Sequence, residues 1–171
     1  SDSRIHHLLF PNFAESLKEF KGVERRFNKI FTFREADFYD DYAHHPSEIK
    51  VTLDSLKLIS RKRIIVIVEP HRYSRLSSLL ENFIDSLQYA DSIYLLPIHS
   101  AGETNKREIN NEIFCKRLKK HYPEKQVLKV STQEHFFNLL KNNINPGDNI
   151  IFLGAGKSSS IAKEFCRYLE F

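Results

Sequence analysis

Hydrophobic positions in this chain fall into short unbroken runs that alternate with runs at helical spacing. Ile64 to Val68 is a continuous β-branched stretch, the composition of a strand buried on both faces of a parallel sheet. Leu76, Leu79, Leu80, Phe83, Ile84 and Leu87 follow as a helical stripe, and Ser92 to Leu96 reads as the next strand. The alternation continues with a helix carrying Ile109, Ile113, Phe114 and Leu118, a short strand at Val127 to Val130, and a helix carrying Phe136, Phe137, Leu139 and Leu140. A turn at Pro146-Gly147-Asp148, a strand from Asn149 to Leu153 and a helix from Ser158 to Leu169 complete it. Upstream, Asn28 to Phe33 reads as a strand, and Phe33, Phe38 and Tyr39 lead into the polar stretch Asp40 to Pro46 as a strand end. Ile49, Leu53, Leu56 and Ile59 then recur at helical spacing, with Pro46 as a first-turn residue. Strand-helix units in series predict an α/β fold, a Rossmann-like, open, mostly parallel sheet with helices on both faces.

Residues 1–27 have a different pattern. Leu8, Leu9, Phe13, Leu17 and Phe20 give an amphipathic period interrupted by Pro11 and closed by Gly22, which predicts a connecting helix and hinge ahead of one domain at 28–171. A chain of 171 residues with 41% hydrophobic content can bury one sizeable core. Its formal charge of +4, spread along the sequence, suits an anionic small molecule as well as nucleic acid. Cys115 and Cys166 both fall in helical patterns, which favours reduced core thiols in a cytoplasmic protein. No apolar run is long enough to span a bilayer, and an opening Ser in place of Met suggests an excised fragment.

Candidate chemistry concentrates where strands end. Asp40-Asp41-Tyr42-Ala43-His44-His45-Pro46 delivers carboxylates, a phenol and imidazoles to a helix start, in the crevice where open α/β sheets bind ligands. The same residues also suit helix capping. A metal site is disfavoured, because adjacent histidines do not readily face one ion and no partner stands at zinc spacing. Ile64 to Val68 runs into Glu69-Pro70-His71-Arg72-Tyr73-Ser74-Arg75, with two arginines at a helix start. They oppose the helix dipole there and so favour an anionic ligand. Asn149 to Leu153 runs into Gly154-Ala155-Gly156-Lys157-Ser158, a partial phosphate loop with Ile151 where a glycine is required. Either the turn receives an anion or a close backbone approach, or its glycines only make a tight connection.

These strings, with Ala101-Gly102-Glu103 and Phe20-Lys21-Gly22-Val23-Glu24-Arg25-Arg26-Phe27, resemble in order and spacing the C-terminal domain of the Mur ligases, most narrowly those that join L-alanine to UDP-N-acetylmuramate. The resemblance implies that Arg26 reaches the ATP phosphates and Asp41 the nucleotide ribose. Tyr42, His44 and His45 would lie near the muramoyl end, with the two histidines as catalytic candidates. Arg72 and Arg75 would hold the alanine carboxylate beside Ala155. It implies ATP and Mg2+, both bound mainly by a central domain, with UDP-N-acetylmuramate, L-alanine and the remaining ligase domains as partners. Neither nucleic acid nor membrane is expected. Lys157 and His99-Ser100 depart from the family pattern. The alternative, a stand-alone nucleotide- or nucleic-acid-binding module without catalysis, would want aromatics interleaved with a basic stripe, whereas most aromatics here sit at core-periodic positions.

Overall fold

The structure, a computed structural model, describes residues 26–106 and 108–171. The connecting helix and hinge predicted over residues 1–27 lie outside them except for residues 26 and 27. Six strands form one sheet in the order β1-β2-β6-β3-β4-β5: β1 (Asn28–Phe33), β2 (Ala36–Asp41), β3 (Ile64–Val68), β4 (Ser92–Leu95), β5 (Gln126–Lys129) and β6 (Asn149–Leu153). The β1-β2 pair is antiparallel and every other pairing is parallel. The helices are α1 (Pro46–Ile59), α2 (Tyr73–Ser78), α3 (Leu80–Ser86), α4 (Asn111–His121), α5 (Gln133–Asn143) and α6 (Ser158–Glu170).

Alternation along the strands builds two cores. Ile64, Val66 and Val68 of β3 pack with Ile151 and Leu153 of β6 against α1 to α4. Ile65 and Ile67, with Phe38, Ile150 and Phe152, face α5 and α6. This is the expected α/β sheet with helices on both faces, and β3 and β6, apolar except for Asn149, are buried throughout because each face carries a helical layer.

Two local departures have clear causes. Phe33 to Tyr39 is not one strand: Arg34 and Glu35 both take positive φ, 49° and 65°, and turn the chain back as a two-residue hairpin with Phe33 opposite Ala36. That backbone matches hairpin twist, yet it comes without the Asn or Gly that announces it. The stripe from Leu76 to Leu87 is two helices, broken at Leu79 where φ −119° and ψ 25° leave the helical region.

At the amino ends of the central strands, Arg63 grips Asp148 through two bonds, Nε to Oδ1 at 3.1 Å and Nη2 to Oδ2 at 2.6 Å. The pair fixes the start of β3 against the start of β6, which leaves the opposite, carboxyl edge to the loops. Cys115 and Cys166 are free, and burial pushes the Cys166 thiol up to about 11. Among the described residues, no helix is long and apolar enough to cross a membrane.

Candidate substrate-binding site

β2, β6 and β3 run parallel and in register, with Asp41 beside Leu153 and Leu153 beside Val68, so the loops that follow them open onto one crevice. The first of these loops follows β2. Asp41 is only 5% exposed. Its Oδ1 accepts the Ala43 N–H (2.9 Å) and its Oδ2 the Thr52 hydroxyl (2.8 Å). Burial nevertheless pushes its carboxyl above the usual range, against those bonds and the charge of Arg26. A buried carboxyl perturbed in this way and set in a cleft is a candidate functional group. Asp41, Arg26, Phe27, Tyr42, Ser47 and Val51 line a cleft of about 270 Å³, and Phe27 stacks on Tyr39 at 5.1 Å. Asp40 points elsewhere and accepts the Ser159 hydroxyl at 2.5 Å.

The two adjacent histidines have separate surroundings. His45 is the N-cap of α1: its Nδ1 accepts from the Ser47 N–H (3.3 Å), while Glu48 accepts from the His45 N–H (3.1 Å), which completes a capping box. Burial works against the Glu48 charge, yet the His44 and His45 amides that donate to it hold its carboxyl below the usual range. His44 donates from Nδ1 to the Tyr42 carbonyl (3.0 Å), which leaves Nε2 as its basic nitrogen.

The histidine at 44 also belongs to a string of rings that no sequence spacing announces. Tyr42 meets His44 edge-on (5.1 Å), His44 meets His71 edge-on (5.1 Å) and His71 stacks on His99 (5.2 Å). Arg75 Nη1 lies 3.2 Å from His71 Nδ1. A guanidinium can only donate, so that nitrogen accepts and the ring is neutral. Burial first, then the neighbouring His44, Arg75, His99 and Arg72 side chains, hold the His71 pKa below the usual histidine value. Because the folded value is depressed, stability is lost as pH falls through the unfolded histidine range. The domain is therefore expected to lose melting temperature between about pH 7.5 and 5.5, and His71→Phe to flatten that slope. Parallel melts of the two proteins check it; equal slopes would remove His71 as the cause.

Arg72 takes φ 70° at the start of α2, where its N–H bonds the His99 carbonyl (2.8 Å). Downstream in sequence no acidic residue comes before Glu81, but Glu103 reaches it from the loop after β4, Nη1 to Oε1 at 3.8 Å with the arginine half exposed. That distance makes a weak pair. Glu103 is held more firmly by Ser74, through its hydroxyl (2.6 Å) and N–H (3.0 Å), and these bonds depress its pKa.

The turn Gly154 to Ser158 answers the question its sequence leaves open. Its N–H groups do converge on an anion, and the anion is the buried carboxylate of Glu69: Gly156 and Ser158 donate to Oε2 (3.1 Å each) and Lys157 to Oε1 (2.9 Å). Glu69 and Glu103 thus cap α6 and α2, neither of which has a side-chain cap bond from its own N-cap residue. Sequence reasoning missed both, since each acts on a segment distant in the chain. Ala155 sits within this turn, half-buried.

Among the described residues, no group of three or more His, Cys, Asp and Glu side chains is arranged for a metal. Asp41, the carboxylate of the cleft, accepts one hydrogen bond at each oxygen and belongs to no such group. The described residues of this domain therefore do not fit Mg2+.

An open α/β sheet with guanidinium, imidazole and carboxylate groups gathered at its strand ends is the architecture of a domain that handles small charged ligands. The chain belongs to the Mur ligase family, matching the family model described as "Mur ligase, glutamate ligase domain" over residues 25–156. It is 42% identical over 147 residues to a UDP-N-acetylmuramate–L-alanine ligase of Pelagibacter ubique, covering 85% of this chain and 32% of that protein. Over 163 residues it is 37% identical to the enzyme of the same name from Gloeobacter violaceus, covering 95% and 35%. The crystal structure of UDP-N-acetylmuramate-alanine ligase from Thermotoga maritima superposes with a TM-score of 0.68 at 26% identity, over 91% of this chain and 32% of that one. The chain spans about a third of the length of the curated relatives it matches.

Proposed function

We propose that residues 28–171 are the C-terminal domain of a cytoplasmic, ATP-dependent ligase that joins L-alanine to UDP-N-acetylmuramate in peptidoglycan precursor synthesis. The domain closes over an ATP site supplied elsewhere and holds the amino acid. The reaction forms an acyl phosphate from the muramoyl carboxylate and the γ-phosphoryl group of ATP, with release of ADP; the alanine amine then attacks the acyl carbon and expels phosphate. Arg72 and Arg75 grip the alanine carboxylate, with Ala155 at the edge of the same crevice. His44, its Nδ1 proton engaged, presents Nε2 to take a proton from the alanine ammonium before attack. Tyr42 stands beside it towards the muramoyl end. His45 serves mainly by holding the first turn of α1, which fixes His44. Arg26 and Asp41 meet the nucleotide, Arg26 at the phosphates and Asp41 at a ribose hydroxyl through the lone pairs that Ala43 and Thr52 leave open.

The observation that carries this reading is the convergence of two differently charged sites at one sheet edge, an acidic cleft at β2 and a guanidinium-imidazole wall at β3 and β4. Its test is Asp41→Asn in a full-length ligase carrying this domain. The amide oxygen keeps the Ala43 bond, the Thr52 bond survives with the hydroxyl accepting from the new NH2, and a charge that burial penalises is removed, so the variant domain is expected to melt no lower than wild type near pH 7, with an advantage that shrinks as pH falls towards the carboxylate range. The apparent ATP requirement should rise about tenfold, with the shape of the magnesium dependence unchanged. Rescue by extra magnesium or manganese would identify Asp41 as a metal ligand and overturn the ribose role.

A further inference from the structure

We propose that Glu69 is the built-in anion of the turn that opens α6, a positioning residue that fixes Gly154 to Ser158 and closes that helix end to phosphate. The consequence for substrate rests on the reading of Ala155 given above; the place of Glu69 does not.

A helix N-terminus with a glycine turn is a ready anion site, and α6 is thirteen residues long with no side-chain cap of its own. Three consecutive amides of this turn converge on one carboxylate that is 4% exposed. The amides and the helix dipole offset the burial of its charge. The glycines are shaped to that carboxylate. A Cβ at position 154, where φ is 154°, would stand 2.8 Å from Glu69 Cβ; one at position 156 would stand 2.7 Å from Glu69 Oε1 and 2.8 Å from His99 Nδ1. Both approaches are closer than a side chain tolerates, so the Gly-Ala-Gly pattern is accounted for by Glu69 and His99 without any bound phosphate. Lys157 contributes its backbone N–H, which any residue but proline supplies, so the departure at this position leaves the turn intact.

The arrangement also couples loops. Glu69 lies just upstream of His71 and Arg72 on the loop after β3, His99 lies on the loop after β4, and the turn itself follows β6. Holding the turn through Glu69 therefore keeps Ala155 at a fixed separation from the arginines across the crevice. With the helix end already neutralised, a carboxylate entering the crevice is directed to Arg72 and Arg75.

Inorganic phosphate titrated into the 15N-labelled chain separates these statements from packing alone. Wild type is expected to show no phosphate-dependent shift at the amides of Gly156, Lys157 and Ser158. Glu69→Ala should show saturable shifts at those three amides and a melting temperature that rises with phosphate. Glu69→Gln, equal in volume but with one acceptor replaced by a donor, serves the same titration if the alanine variant does not fold. In a full-length ligase, Glu69→Gln should raise the alanine KM about tenfold while the ATP KM stays within about twofold. Shifts in wild type, or none in either variant, overturn the proposal. The expected shifts with an unchanged alanine KM uphold Glu69 as the anion and overturn the substrate role of Ala155 instead.

Discussion

Arg75→Lys and Arg72→Lys, in a full-length ligase carrying this domain, are each expected to raise the alanine KM by about one to two orders of magnitude and to change the ATP KM far less. A charge-assisted hydrogen bond contributes about 1.5 to 3 kcal/mol, and each factor of ten in affinity is about 1.4 kcal/mol. Lysine keeps the charge but loses the planar fork that meets a carboxylate through two bonds. For Arg75 the loss is compounded, because the His71 nitrogen that orients the guanidinium fixes one of its arms and lysine cannot span both partners. Among the described residues Arg72 pairs with the carboxylate of Glu103, at 3.8 Å and with the arginine half exposed, a pair weak enough to yield to a substrate carboxylate. Steady-state dependence on each substrate separates the cases. Equal losses for alanine and ATP, or none for either, would reduce the arginines to general electrostatic residues.

Phe165→Ala is expected to cost about 3 to 5 kcal/mol of stability. Its ring is fully buried and stands at the centre of an aromatic cluster, 5.1 Å from Phe137, 6.0 Å from Phe38, 6.1 Å from Tyr168 and 6.4 Å from Phe152. Rings from α5, α6, β2 and β6 meet there, so no single element can move in to fill the space. The denaturant midpoint measures the change. A loss under about 2 kcal/mol would show that this layer collapses onto the cavity and packs less rigidly than its contacts indicate.

Period and composition were enough for the layers of this fold. Ile64 to Val68 and Ile150 to Leu153 are apolar without interruption, and both proved to lie in central strands covered on each side. The hairpin at Arg34 and Glu35 was hidden because its left-handed geometry is adopted by residues with no turn preference. The break at Leu79 was hidden because apolar positions keep helical spacing across it. In the site, the strand-end position of Asp41, Arg72 and Arg75 was legible, since parallel strands must open onto one edge. Their partners were not: Glu69 bonds residues 87 to 89 positions away, and Glu103 bonds Ser74 across 29. His99 stood out in sequence as a family departure, yet its stacking on His71 depends on two loops meeting, which no local pattern encodes.

A domain exchange tests the central claim most directly. Residues 25–171 of this chain would replace the matching segment of a full-length UDP-N-acetylmuramate–L-alanine ligase, and phosphate release would be followed with UDP-N-acetylmuramate, ATP and a panel of amino acids. The account predicts release that depends on all three substrates and is highest with L-alanine. A folded chimera that releases phosphate regardless of the amino acid, or that favours another amino acid, would contradict it.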